Sequence, residues 1–107
     1  MLITTTETVA NHRIVKTLGL VRGNTVRARH VGKDIMASLR NLVGGEIHEY
    51  AKLIAESREQ TLDRMVAEAE ALGANAIIGV RYDATDVMAG LTEVLCYGTA
   101  VKVETAK

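Results

Sequence analysis

The sequence predicts an α+β subunit: an antiparallel or mixed sheet with one short and one long helix packed on one face, built to associate with copies of itself. Three observations predict it. One long segment keeps apolar residues at helical spacing, several shorter ones cluster or alternate β-branched residues, and the last strand is apolar on both faces. A chain of 107 residues is a single domain, 1–107, with a core but not a deep one.

Residues 2–4 form a short apolar run that reads as a strand. Residues 13–30 carry Ile14, Val15, Leu18, Leu20, Val21, Val26 and Ala28 around Gly23-Asn24, which predicts a hairpin or a bulged strand. Asp34 caps a short helix with Ile35, Leu39, Leu42 and Val43 as its apolar positions, and Gly44-Gly45 ends it.

The long helix spans 46–72. Ile47, Ala51, Ile54, Leu62, Met65, Ala69 and Leu72 fall at steps of three or four, with one gap centred on Arg58. Glu46 and Glu49 oppose the positive end of the helix dipole, and Gly73 supplies the left-handed residue that ends it. At 1.5 Å per residue the rod is about 40 Å long, more than the diameter of a compact domain of this size. Two strands follow. In 76–84, Ile78, Val80 and Tyr82 alternate with Ile77, Gly79, Arg81 and Asp83. In 93–103, Leu95, Tyr97, Thr99, Val101 and Val103 alternate with Val94, Cys96, Gly98, Ala100 and Lys102. A strand apolar on both faces, with too few helices to cover two sheet faces, predicts burial by a second copy.

Composition excludes several functions. Thirteen basic and thirteen acidic residues leave no net field to recruit nucleic acid or an acidic membrane. The chain has no Trp or Phe and only Tyr50, Tyr82 and Tyr97, too few aromatics for a base-stacking platform. One cysteine excludes an internal disulfide and a Cys-only zinc site within one chain. No long apolar run or signal-like leader is present, so the expected address is the cytoplasm, with no membrane partner.

Few residues carry chemistry. Cys96, on a strand among small residues, reads as a buried packing thiol. His12, His30 and His48 do not pair at ligand spacing, and His48 belongs to the polar row 48, 52, 55, 59 of the long helix. Glu46 and Glu49 share a helix face and could offer two carboxylates to a cation. Arg58 stands where the stripe calls for an apolar residue. Its head either snorkels out, pairs with Asp83 or Glu93, or holds a small anion together with the Gly44-Gly45 helix start. Arg13, Lys16, Arg22, Arg27, Arg29 and Lys33 form a basic run with no acid among them. The more acidic later half would neutralise that run across an oligomer interface.

The stretch Gly44-Gly45-Glu46-Ile47-His48-Glu49-Tyr50, continued by Arg58-Glu59 and Arg64-Met65, resembles the helix-opening motif of the YbjQ family, small bacterial and archaeal proteins described as heavy-metal-binding. Residues 73–83, Gly-Ala-Asn-Ala-Ile-Ile-Gly-Val-Arg-Tyr-Asp, are similar to its strand-entry motif, and Tyr97-Gly98-Thr99-Ala100-Val101 to its last strand. The resemblance implies a dodecin-like subunit in a ring-shaped homo-oligomer, a pentamer, and marks the double glycine, Tyr50 and Arg58 as family positions. Residues and resemblance together predict a ring-forming cytoplasmic protein that holds a small ligand, or a divalent or heavy-metal ion, between subunits. Gly44, Gly45, Glu46, Tyr50 and Arg58 are the expected lining, with Cys96, Glu46 and Glu49 as candidate metal ligands and no catalytic residue. One alternative is a metal-dependent or acid–base enzyme using Glu46, Glu49 or His48 at the interface. Another is a structural or regulatory ring that meets an anionic partner through the basic run.

Overall fold

The computed structural model describes residues 1–28, 45–88 and 91–106, with side chains described at all of these except 27, 28, 45–51, 53, 87 and 88. The short helix expected at 34–43, with Gly44, His30, Arg29 and Lys33, lies outside the described residues. The elements are β1 (Leu2–Ile3), β2 (His12–Ala28), α1 (Gly45–Ala71), β3 (Ala76–Met88) and β4 (Leu91–Thr105). They form one mixed sheet in the order β1-β3-β4-β2, with β1 parallel to β3 and the other pairs antiparallel. The helix packs on one face. A 27-residue helix lying along strands of similar length makes an elongated subunit, 59 × 24 × 18 Å, with a radius of gyration of 17.7 Å. A compact chain of this size has about 13 Å.

Residues 12–28 are one bulged strand and not a hairpin. The irregularities fall between Ile14 and Lys16 and between Thr17 and Gly19, while Gly23 and Asn24 pair regularly with Cys96 and Leu95. Gly23 serves a different purpose from a turn. A Cβ there would sit 2.7 Å from the Met65 backbone nitrogen and closer still to the Thr61 carbonyl oxygen, so the missing side chain lets α1 settle onto the strand.

The core lies between α1 and one face of the sheet: Val21, Met65, Ala69, Ile77, Val80, Cys96 and Ala100 are all buried. The small residues of β4 face the helix, because a helix seated this close leaves no room for larger ones. The larger set, Leu95, Tyr97 and Thr99, lies on the reverse face. There a second cluster of Ala76, Val101 and Val103, with Ile78 beside it, is buried at one end only. In β3 the expected alternation breaks at Gly79, which has φ 63° and a register irregularity around it. Ile77 and Val80 therefore both reach the main core, and Ile78 joins the reverse cluster.

The long helix ends as its sequence predicts. Gly73 has φ 84°, its N–H donates to the Glu70 carbonyl at 2.9 Å, and that of Ala74 donates to Ala69 at 3.1 Å, the paired bonds of a Schellman cap. The Asn75 amide then clasps β4, donating to the Val103 carbonyl at 2.9 Å and accepting from the Val103 N–H at 2.8 Å.

Candidate functional site

The inward row of α1 differs from the predicted stripe where Arg58 stood. Met65 and Ala69 face the sheet as expected, but the row continues through Thr61 and Ser57, both fully buried. These small polar residues satisfy themselves locally. The Thr61 hydroxyl donates to the Ser57 carbonyl at 2.7 Å and lies 3.0 Å from the Thr25 hydroxyl of β2. With Ser57 taking the inward position, Arg58 is turned about 100° onto the flank and is exposed, so it is not a buried guanidinium.

That flank borders an open hollow of about 350 Å³, lined by Ile54, Arg58, Tyr82, Asp83, Ala84 and Val94. A neighbouring depression adds Ala55 and Glu59 and shares Arg58 and Tyr82. Tyr82 and Ala84 reach the helix side because they pair with Cys96 and Val94. The floor is apolar, and the polar side chains at the rim are the Arg58 guanidinium, the Tyr82 phenol and the Glu59 carboxylate, while Asp83 borders the hollow from a position of β3 that alternates to the reverse face. Burial pushes the Tyr82 phenol above its ordinary range, Cys96 and Glu59 add to the effect, and Arg58 opposes it.

Of the two carboxylates expected to pair with Arg58, Asp83 lines the same hollow and Glu93 does not. Glu93 pairs with Val26 and accepts from the Asn24 side chain at 3.3 Å. Among the described residues the ion pair is Arg13 with Glu104, so Arg58 holds no carboxylate. The remaining residues of the expected lining lie elsewhere. Gly45, Glu46 and Tyr50 open α1, and along the helix axis Tyr50 lies about 12 Å and Glu46 about 18 Å from Arg58. Within one chain a small ligand on Arg58 does not reach Glu46. Tyr82 was missed as lining, and Asp83 was expected only as a partner of Arg58: the period of β3 marks an inner face, but nothing in the sequence says which flank of α1 lies over it.

Cys96 is fully buried, its thiol donating to the Thr61 carbonyl at 3.4 Å and lying 3.7 Å from the Met65 sulfur. Burial pushes this thiol up as well, against a backbone hydrogen bond from Gly23.

A family model described as "Putative heavy-metal-binding" (YbjQ) matches residues 1–104. The chain belongs to the YbjQ family. Relatives include a UPF0145 protein of Dehalococcoides mccartyi strain BAV1, 59% identical over 104 residues, 97% of this chain and 100% of that one. A UPF0145 protein of Methanosarcina acetivorans is 53% identical over 103 residues, 96% and 97% of the two chains. One from Thermus thermophilus is 50% identical over 107 residues, 100% and 94%. Among solved structures, a DUF74-family protein of unknown function from Pediococcus pentosaceus shares the fold, with a TM-score of 0.67 over 97% of this chain and 98% of that one at 18% identity.

The YbjQ description invites a test of the donor set. Among the described residues, no three His, Cys, Asp or Glu side chains come together as a metal site. Cys96 sits against Thr61 and Met65, and Thr61 is twelve positions along α1 from Glu49, about 18 Å. One ion cannot be shared by Cys96 and Glu46 or Glu49 of the same chain. The donors described here do not fit a resident metal within one subunit.

Proposed function

We propose that this YbjQ-family chain is a non-enzymatic cytoplasmic protein that assembles into a ring, a pentamer of dodecin-like subunits by the family resemblance, and holds a small ligand where subunits meet. The observation that carries the ligand reading is Arg58: an exposed guanidinium without a carboxylate partner among the described residues, beside a phenol, over an apolar hollow of ligand size. Such a floor and rim suit a small carboxylate whose apolar body lies on Ile54, Ala84 and Val94. Glu59 at the rim selects against a second negative charge at the far end of the ligand. The hollow is open, and a neighbouring copy would close it. The same ring would be the means of gathering a heavy-metal ion, since one subunit does not supply the donors.

Native mass spectrometry before and after a chelator, followed by benzoate titration of the wild type and Arg58→Met, tests this. The expected result is a five-fold mass, benzoate binding by the wild type, and loss of that binding in Arg58→Met at unchanged mass. Equal benzoate affinity in both proteins removes the Arg58 site. A chelator-sensitive excess mass would move the ligand reading to a metal held between subunits.

A further inference from the structure

The sheet has two unfinished edges. Among the described residues no strand lies beyond β2, whose outer backbone groups are left without a sheet partner. On the opposite side, the N-terminal segment covers β3 only as far as Val80, through Thr4 to Ile77, Gly79 to Thr6 and Val80 to Thr4. From Tyr82 to Met88 no described strand pairs with that edge. Long bare edges are templates for another strand, and proteins usually blunt them with bulges or charge. Here the bulges of β2 fall at Ile14–Gly19, whereas from Leu20 to Ala28 the register with β4 is unbroken.

The reverse face at this end of the sheet is also uncovered. Leu20 is 65% exposed, Val26 54% and Tyr97 39%. Arg22 pairs with Tyr97 and Asp83 with Leu95, so both charged residues belong to this face, one on each bare edge, and both are exposed.

We infer that the Leu20–Ala28 edge of one copy pairs in parallel with the Tyr82–Met88 edge of the next, which carries the sheet from subunit to subunit and encloses the reverse face. This rests on the self-assembly proposed above and specifies its contact. The partner is a second copy because both edges belong to one chain, are bare over the same stretch of the sheet, Gly23–Ala28 standing level with Tyr82–Met88 across β4, and carry opposite charge at Arg22 and Asp83. Parallel pairing follows from the sheet itself. Strands β2 and β3 are both antiparallel to β4, and rotation about an axis along the strands preserves their direction. Each copy offers one edge of each kind, so the contact is head-to-tail and closes into a ring when the sheet curls. Curling with the helices outside removes Leu20, Val26 and Tyr97 from water and satisfies both edges at once.

Engineered cysteines test the pairing in the full chain. In the continued sheet Asn24 lies level with Asp83, since both pair with Leu95, and Arg22 lies two residues away, so N24C/D83C and R22C/D83C bracket the register. Native mass is measured first; the proteins are then mildly oxidised, alkylated before denaturation so that Cys96 stays silent, and run without reductant. A ladder of covalent multimers in either variant, or a covalent dimer on mixing the single variants R22C and D83C, is the expected result. A multimeric native mass without interchain disulfides in any of these samples overturns edge pairing and leaves self-assembly standing. A disulfide dimer from R22C alone would show β2 meeting β2 and overturns the head-to-tail contact. A monomeric wild type overturns the assembly itself, and this contact with it.

Discussion

The hydroxyls of Thr25 and Thr61 lie 3.0 Å apart in the buried layer between β2 and α1. The contact is polar where an apolar pair would be the ordinary choice. Thr61 also donates to the Ser57 carbonyl at 2.7 Å, so one hydroxyl ties two turns of the helix to the strand. Replacing Thr61 with Val leaves the buried Thr25 hydroxyl only its long 3.5 Å bond to the Ser57 carbonyl and should cost about 1 kcal/mol. The double variant T25V/T61V should recover part of that loss, because neither partner is then left unsatisfied. A denaturant double-mutant cycle reads the coupling, and strict additivity would refute it.

Gly23→Ala should be among the most destabilising conservative changes in the described sheet. Its Cβ would press on the Thr61 carbonyl and the Met65 nitrogen, which are helix backbone and cannot swing aside. The expected loss is about 1–3 kcal/mol, seen as a lower denaturation midpoint with the m-value retained. Gly73→Ala creates no clash but must hold φ 84°, and should cost about 1 kcal/mol.

Arg13 and Glu104 form the contrasting case. Their ion pair is 3.0 Å long, but the side chains are 72% and 59% exposed. Arg13→Gln should change stability by less than about 0.5 kcal/mol at physiological salt. A loss above 1 kcal/mol in chemical denaturation would mean that this end of β2 is buried in solution.

Cys96 should resist thiol reagents in the native protein at neutral pH and react promptly once unfolded. Because burial raises its folded pKa, the folded chain keeps the thiol proton where the unfolded chain releases it. The corresponding stability is fully present below about pH 8.5 and is lost as pH rises through the folded value. Tyr82 acts in the same direction at higher pH. Wild-type stability should therefore fall on the alkaline side, and Cys96→Ala should flatten the first part of that fall. Parallel alkaline profiles for the two proteins would refute the assignment.

Much of the fold was legible because it is local. The 3.6-residue period placed the long helix within one residue at each end, and Gly73 marked its cap, since dipole, capping and amphipathic spacing act within a turn or two of chain. The strand at 2–4 was visible as a short apolar run and those at 76–84 and 93–103 from their alternation, although β3 runs on to Met88 and β4 spans Leu91–Thr105. What the sequence by itself determined about this protein is thus its element types, its family motifs and the absence of any strong catalytic pattern. Only the tertiary structure decided the rest. Gly23 looked like a turn and proved to be clearance for the helix backbone at Thr61, 38 residues later in the chain. Arg58 looked like a charge inside a stripe, and the inward row passed instead through Ser57 and Thr61; the Thr61 hydroxyl bonds within the helix and meets Thr25 only once β2 lies beneath it. Tyr82 joined Arg58 at one hollow because strand register carried it there. These outcomes depend on which surfaces meet across long sequence separation, and on burial that compensates polar groups in pairs. Neither property is written in the period of any single segment.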